Sequence, residues 1–101
     1  MKLVSIIAVN FNHSYVTEAM LHSVFHVNNY TAVEVIIVDN GSDVNPIPQW
    51  ETRYPNVTFI RSDVNLGFAG GNNLGVEAAT GDYYLSYCAV FESEGDCEWI
   101  E

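Results

Sequence analysis

Fixed positive charge is almost missing from this chain of 101 residues. Lys2, Arg53 and Arg61 stand against 13 acidic residues, for a formal net charge of −10. That balance argues against a nucleic-acid partner, since phosphate backbones are met by clustered Lys and Arg. It disfavours docking on an anionic membrane surface for the same reason. Cysteine is sparse as well: Cys88 and Cys97 have no CxxC spacing and no histidine beside them, which argues against zinc. They read as free thiols in a reducing compartment. No apolar run approaches the ~18 residues of a membrane span. The short apolar stretch behind Lys2 is followed by Asn10-Phe11-Asn12-His13, not by a small-residue cleavage site. It therefore does not read as a secretory signal, and the cytoplasm is the expected location. Glycine is absent before Gly41, so no GxGxxG dinucleotide fingerprint can follow the first strand, and no Gly-Lys-Ser/Thr marks a P-loop.

What is present is the composition of a folded domain: 49% hydrophobic, 13% aromatic and 16% charged residues. The length suits one core. Leu3-Val-Ser-Ile-Ile-Ala-Val9 and Val33-Glu-Val-Ile-Ile-Val38 are nearly unbroken apolar runs, as expected of strands buried on both faces. Val57-Thr-Phe-Ile60 and Tyr83 to about Val90 read as two more strands. Between them, helical spacing of Val16, Ala19, Met20, Val24 and Val27 marks a helix over 15–27, with Ser14 as a candidate cap. Pro46 and Pro48 confine the next helix to about 49–54. Asn65 to Gly71 reads as a loop before a helix over 72–79, which Gly81 stops. The order β-α-β-α-β-α-β predicts an α/β fold: a parallel sheet with right-handed crossovers and helices on both faces.

In open parallel sheets, ligands bind beyond the carboxyl ends of the strands. The polar clusters Asn10-Phe11-Asn12-His13 and Asp39-Asn40-Gly41-Ser42-Asp43 fall on that edge, whereas the opposite connections look plainer. Short turns favour the same residue types, so the clusters alone have two readings. The segment Asn65-Leu-Gly-Phe-Ala-Gly-Gly-Asn-Asn-Leu-Gly75 is less ordinary, with four glycines at or inside a helix start. Each costs about 0.5–1 kcal/mol relative to alanine in a helix interior. Such glycines serve either tight helix–sheet packing or close approach of a ligand to the helix start and the Asn72 and Asn73 amides. His22 and His26 lie four apart with no carboxylate at hand, and read as surface histidines.

Ser5-Ile-Ile-Ala-Val-Asn-Phe-Asn12, Val38-Asp-Asn-Gly-Ser42 and the glycine-rich segment, in that order and spacing, resemble family 2 glycosyltransferases. The match is to their N-terminal, nucleotide-sugar-binding half, a partial GT-A fold. The third motif and Thr80-Gly-Asp-Tyr83 look most like the rhamnosyltransferase branch of bacterial surface-polysaccharide pathways. The resemblance implies a nucleoside-diphosphate-sugar donor, UDP- or dTDP-linked. It puts Val9, Asn10, Phe11 and Asn12 beside the base and ribose, and makes Asp39, with Asn40, an acceptor for the base. Asn65, Gly67 and Asn73 would border the nucleotide. It divides the chain into a binding domain over 1–85 and a divergent tail over 86–101. It also implies a divalent cation, Mg2+ or Mn2+, on an Asp-x-Asp motif after the fourth strand, where this chain reads Cys88-Ala89-Val90. No catalytic residue carries over. A homo-oligomer contacting through the fourth strand is expected. So is the alternative of a non-catalytic nucleotide-binding or interaction module.

Overall fold

The computed structural model describes residues 2–26 and 32–88. Strands β1 (Val4–Asn10), β2 (Val33–Asn40), β3 (Thr58–Ser62) and β4 (Tyr83–Cys88) alternate with helices α1 (Ser14–His26), α2 (Ile47–Arg53) and α3 (Gly67–Ala78). All pairings are parallel and the sheet order is β3-β2-β1-β4. The expected α/β architecture is the observed one. Moving outward from β1 in both directions reverses the strand order between β1 and β4, which creates the crevice where such sheets take ligands.

The apolar runs become the two central strands because these are covered on both sides. Residues 5–10 of β1 and 35–40 of β2 are all buried. On one face Ala8, Val35 and Ile37 pack with Met20 and Leu21 of α1 and Trp50 of α2. On the other, Ile7, Ile36 and Val38 lie under Leu74 and Val76 of α3. The Trp50 indole is fully buried, and its Nε1 donates to Glu18 Oε2 at 2.8 Å, which closes α2 onto α1. Arg53 at the end of α2 reaches the same carboxylate at 3.3 Å.

Several boundaries differ from expectation: α2 starts two residues early at Ile47, with Pro48 in its first turn where no helical N–H is needed, and β3 runs on to Ser62. β2 continues through Asp39 and Asn40, which are strand residues and not the start of the turn. Their side chains find partners across the sheet, so polarity does not end the strand. α3 begins at Gly67, five residues before the expected start, and absorbs the glycines. A Cβ on Gly71 would meet Val9 Cγ1 at 2.9 Å, and one on Gly75 would overlap Ile7 Cγ2. Helix–sheet contact at that range requires glycine. α1 starts at Ser14 itself, and the His13 carbonyl accepts from Val16 and Thr17 N–H at 3.0 and 3.1 Å. Val27 and the stretch beyond Cys88 lie outside the described residues.

The amino edge is also more ordered than its sequence suggests. Glu34 of β2 accepts from Ser5 Oγ at 2.6 Å, and from Thr80 N–H and Thr80 Oγ1 at 2.9 and 3.1 Å. Burial alone would raise the Glu34 carboxyl, but these three hydrogen bonds outweigh it and hold the group below its ordinary value. Gly81 N–H donates to Ser5 Oγ, and Asp82 and Leu3 exchange bonds at 2.7 and 2.9 Å. This clasp fixes the α3–β4 turn against β1 and β2.

Candidate functional site

The carboxyl edge is built by register. Asn10 of β1 pairs with Asp39 of β2, and Asp39 pairs with Arg61 of β3. Aligned residues on neighbouring parallel strands present their side chains to the same face, so the sheet lines up an amide, a carboxylate and a guanidinium in one row. Ser42, three residues past Asp39, folds back over that row as its hub. Its Oγ donates to Asp39 Oδ1 at 2.6 Å and accepts from Asn10 Nδ2 at 3.3 Å and Asn12 N–H at 2.9 Å. Asn10 Nδ2 also donates to Asp39 Oδ1 at 2.9 Å, while Asn10 Oδ1 accepts from Thr17 Oγ1 at 2.6 Å. The first turn of α1 is thereby tied to the end of β1.

Asp39 has no solvent exposure, and its carboxylate takes four hydrogen bonds. Oδ1 accepts from Asn10 and Ser42 Oγ; Oδ2 accepts from Ser42 N–H at 3.2 Å and from Arg61 Nη1. A carboxylate offers about four lone-pair sites, so every one is occupied. Arg61 closes the arrangement by donating from Nη2 to the Ser42 carbonyl at 3.0 Å. Its side chain is 25% exposed against 0% for Asp39. The cation is therefore the part of the pair that meets solvent, and its five N–H donors exceed the two contacts made here.

A second tie holds the glycine-rich segment. Asn40 Nδ2 donates to Asn65 Oδ1 at 3.0 Å and to the Gly67 carbonyl at 2.9 Å, and its Oδ1 accepts from Leu66 N–H at 3.0 Å. Asn65 Oδ1 also accepts from Gly67 N–H at 2.8 Å, which sets the turn into α3. Gly41, at φ +86, lies against this loop: a Cβ there would sit 2.8 Å from Val64 C and 2.9 Å from Asn65 N. Across the edge, Asn12 adopts φ 57 and its Oδ1 accepts from Asp43 N–H at 2.9 Å, joining the loops after β1 and β2.

Most of the residues singled out by sequence thus converge at one end of the sheet. Asn10, Asn12 and Asp39 share the first network and Asn40, Asn65 and Gly67 the second, and Phe11 is half-buried between Asn10 and Asn12. Val9 is buried and faces Gly71 under α3. Asn73 is exposed on α3 and outside the network. Its neighbour Asn72 turns inward, where its Oδ1 accepts from Ser86 Oγ at 3.0 Å. Sequence reasoning named Ser42 only within the edge cluster and the motif ending there, gave it no role, and did not place Arg61 or Thr17 at the site. Arg61 carried a signal all the same: it is one of three fixed cations in the chain and directly follows the apolar run 57–60.

Residues 5–93 match the model of Glycosyl transferase family 2. The chain belongs to that family. A similar family relative is an uncharacterized glycosyltransferase of Haemophilus influenzae, 32% identical over 95 residues, covering 94% of this chain and 30% of that protein. In fold, the chain resembles the mannosyltransferase PcManGT from Pyrobaculum calidifontis, solved in complex with GDP-Man and Mn2+. The TM-score is 0.76 at 22% identity, over 87% of this chain and 27% of the other. It also resembles S. aureus TarS 1-349 in complex with UDP, with TM-score 0.68 at 22% identity over 86% and 27% of the two chains. The chain spans about 30% of the length of the Haemophilus influenzae relative.

The donor set for a family-type metal does not fit. From the last residue of β4 onward the sequence reads Cys88-Ala89-Val90, with no carboxylate at those positions, and hard divalent cations take oxygen ligands. Among the described residues, no group of three or more His, Cys, Asp or Glu side chains could hold a metal ion. Also among them, no helix is long and apolar enough to cross a membrane.

Proposed function

We propose that this chain binds the nucleotide part of a UDP- or dTDP-linked sugar at the carboxyl edge of β1, β2 and β3, as the donor-binding half of a rhamnosyltransferase-like enzyme. In the full-length protein, polysaccharide or cell-surface glycan synthesis in the cytoplasm is the activity it would serve. The observation that carries the reading is the Asn10–Asp39–Arg61 row, two buried polar groups closed by a partly exposed cation at the edge where such sheets take ligands. Relatives in fold bound to GDP-Man with Mn2+ and to UDP support it. Because all four Asp39 lone pairs are occupied, a base N–H is accepted there only by displacing one of the present donors. Arg61, the exposed member, supplies a cation for an anionic ligand on a chain of net charge −10.

Binding and transfer separate in this reading. Leaving-group departure builds negative charge on the diphosphate, which a metal or pre-placed cations must stabilise. The sequence at 88–90 has no ligands for the metal, and only Arg61 among the cations stands in the site. The same observation favours the second reading, a nucleotide-binding module without transfer. Calorimetry of UDP- and dTDP-sugars with and without Mn2+ tests the point. We expect weak binding that Mn2+ changes by less than tenfold, about 1.4 kcal/mol, and no sugar transfer. The tail over 86–101 carries Glu92, Glu94 and Asp96, spaced two apart. A metal-dependent gain of tenfold or more (again ~1.4 kcal/mol), lost in a combined Glu92→Gln, Glu94→Gln, Asp96→Asn variant, would show that these carboxylates supply the missing ligands.

A further inference from the structure

We propose that Asn40-Gly41 is a latent deamidation site, shielded by the fold and reached only when the 64–67 loop releases the Asn40 amide. The pair is chemically labile for a simple reason. A glycine after asparagine leaves the following backbone nitrogen without a side chain in the way, so that nitrogen can attack the asparagine Cγ. In the reaction, the Gly41 nitrogen gives up its proton and forms a bond to Asn40 Cγ, and Nδ2 leaves as ammonia. Water then opens the five-membered imide at either carbonyl, giving aspartate or isoaspartate. The net change is asparagine plus water to acid plus ammonia. It is the one Asn-Gly pair in the chain.

The fold requires both residues and restrains what they would do together. Gly41 cannot carry a Cβ, because φ is +86 and the Val64–Asn65 backbone stands within 2.8–2.9 Å of that position. Asn40 is needed as an amide, because its nitrogen meets two oxygen acceptors and its oxygen meets the Leu66 N–H. The residue is 2% exposed. All three of these hydrogen bonds hold Cγ on the α3 side of β2, so attack by the Gly41 nitrogen needs them broken first. Conversion is then self-reinforcing: a carboxylate at position 40 would face the Asn65 and Gly67 oxygens and sit next to Asp39, and isoaspartate would lengthen the backbone of β2. Loop opening becomes easier once the amide is gone.

Peptide-level mass spectrometry on the full chain, aged in mildly alkaline buffer, tests this. The rate at Asn40 in native protein should be at least about tenfold below that in denaturing urea, as expected when reaction needs a local opening. Asn65→Ala, which removes one Nδ2 partner and the turn into α3, should raise the native rate. Should that variant unfold, a urea series below the unfolding transition of the unsubstituted chain should show the rate climbing before global unfolding. Equal rates in native and denatured chain would overturn the proposal. So would a folded Asn65→Ala variant ageing no faster.

Discussion

Arg61→Met should destabilise the fold by about 3 kcal/mol, at the lower end for breaking a buried ion pair by removing one partner. The substitution keeps the aliphatic stem and removes the guanidinium, leaving a fully buried Asp39 with three of its four donors. Those three donors, and the partial exposure of Arg61, keep the loss from reaching the upper end. The double variant Asp39→Asn, Arg61→Met should recover part of that loss, because the remaining buried charge goes with it. Urea unfolding of wild type, both single variants and the double would read the coupling directly. A single-variant loss under about 0.5 kcal/mol, the scatter of surface substitutions, would mean that Arg61 is a solvated side chain and not the closing member of the row.

Gly75→Val should cost about as much, by steric overlap. Gly75 lies on α3 against β1, and even a single added carbon would overlap Ile7 Cγ2 and stand 3.4 Å from Val38 Cγ2. Ile7 and Val38 are completely buried, so neither has room to retreat. Overpacking of this kind costs about 1–3 kcal/mol and occasionally more. Gly75→Ala should lie lower, at about 1–2 kcal/mol, because alanine returns 0.5–1 kcal/mol of helix propensity. Glu77→Ala, on the exposed side of the same helix, should change stability by less than about 0.5 kcal/mol. A stabilised Gly75→Ala variant in urea unfolding would mean that α3 stands further from the sheet, and that its glycines are there for another reason.

These two substitutions mark where the sequence could and could not be read. The central strands were legible because burial on both faces leaves an unbroken apolar run. Gly81 does not stop α3, which ends at Ala78 with Ala79 extended; it is glycine because a Cβ there would overlap Ser5 and Leu3 of the clasp. Strand ends were not legible, because Asp39 and Asn40 look like turn residues until partners distant in sequence satisfy them. For Asp39 that partner is Arg61, 22 residues away, and for Asn40 it is the 65–67 turn, 25–27 residues away; nothing local announces either. The start of α3 was misplaced because propensity sees glycines as a cost, whereas the packing distance to Ile7 and Val9 makes them a requirement. Of the two purposes open to that glycine segment, Gly71 and Gly75 serve packing. The Asn65–Gly67 turn lies on the candidate site through Asn40. The amino-edge clasp was invisible for the same reason as Arg61: Glu34 and Thr80 are 46 residues apart.

The central claim is that nucleotide binds at the carboxyl edge of β1, β2 and β3. Backbone amide chemical-shift mapping with UDP, and separately with dTDP, tests it most directly. The first and largest shifts should fall in the loops around Asn10 to Asn12, Asp39 to Ser42 and Asn65 to Gly67, and the Arg61 side-chain N–H resonances should move with them. Shifts confined to the Ser5–Glu34–Thr80 clasp at the opposite edge, or none at millimolar ligand, would contradict it.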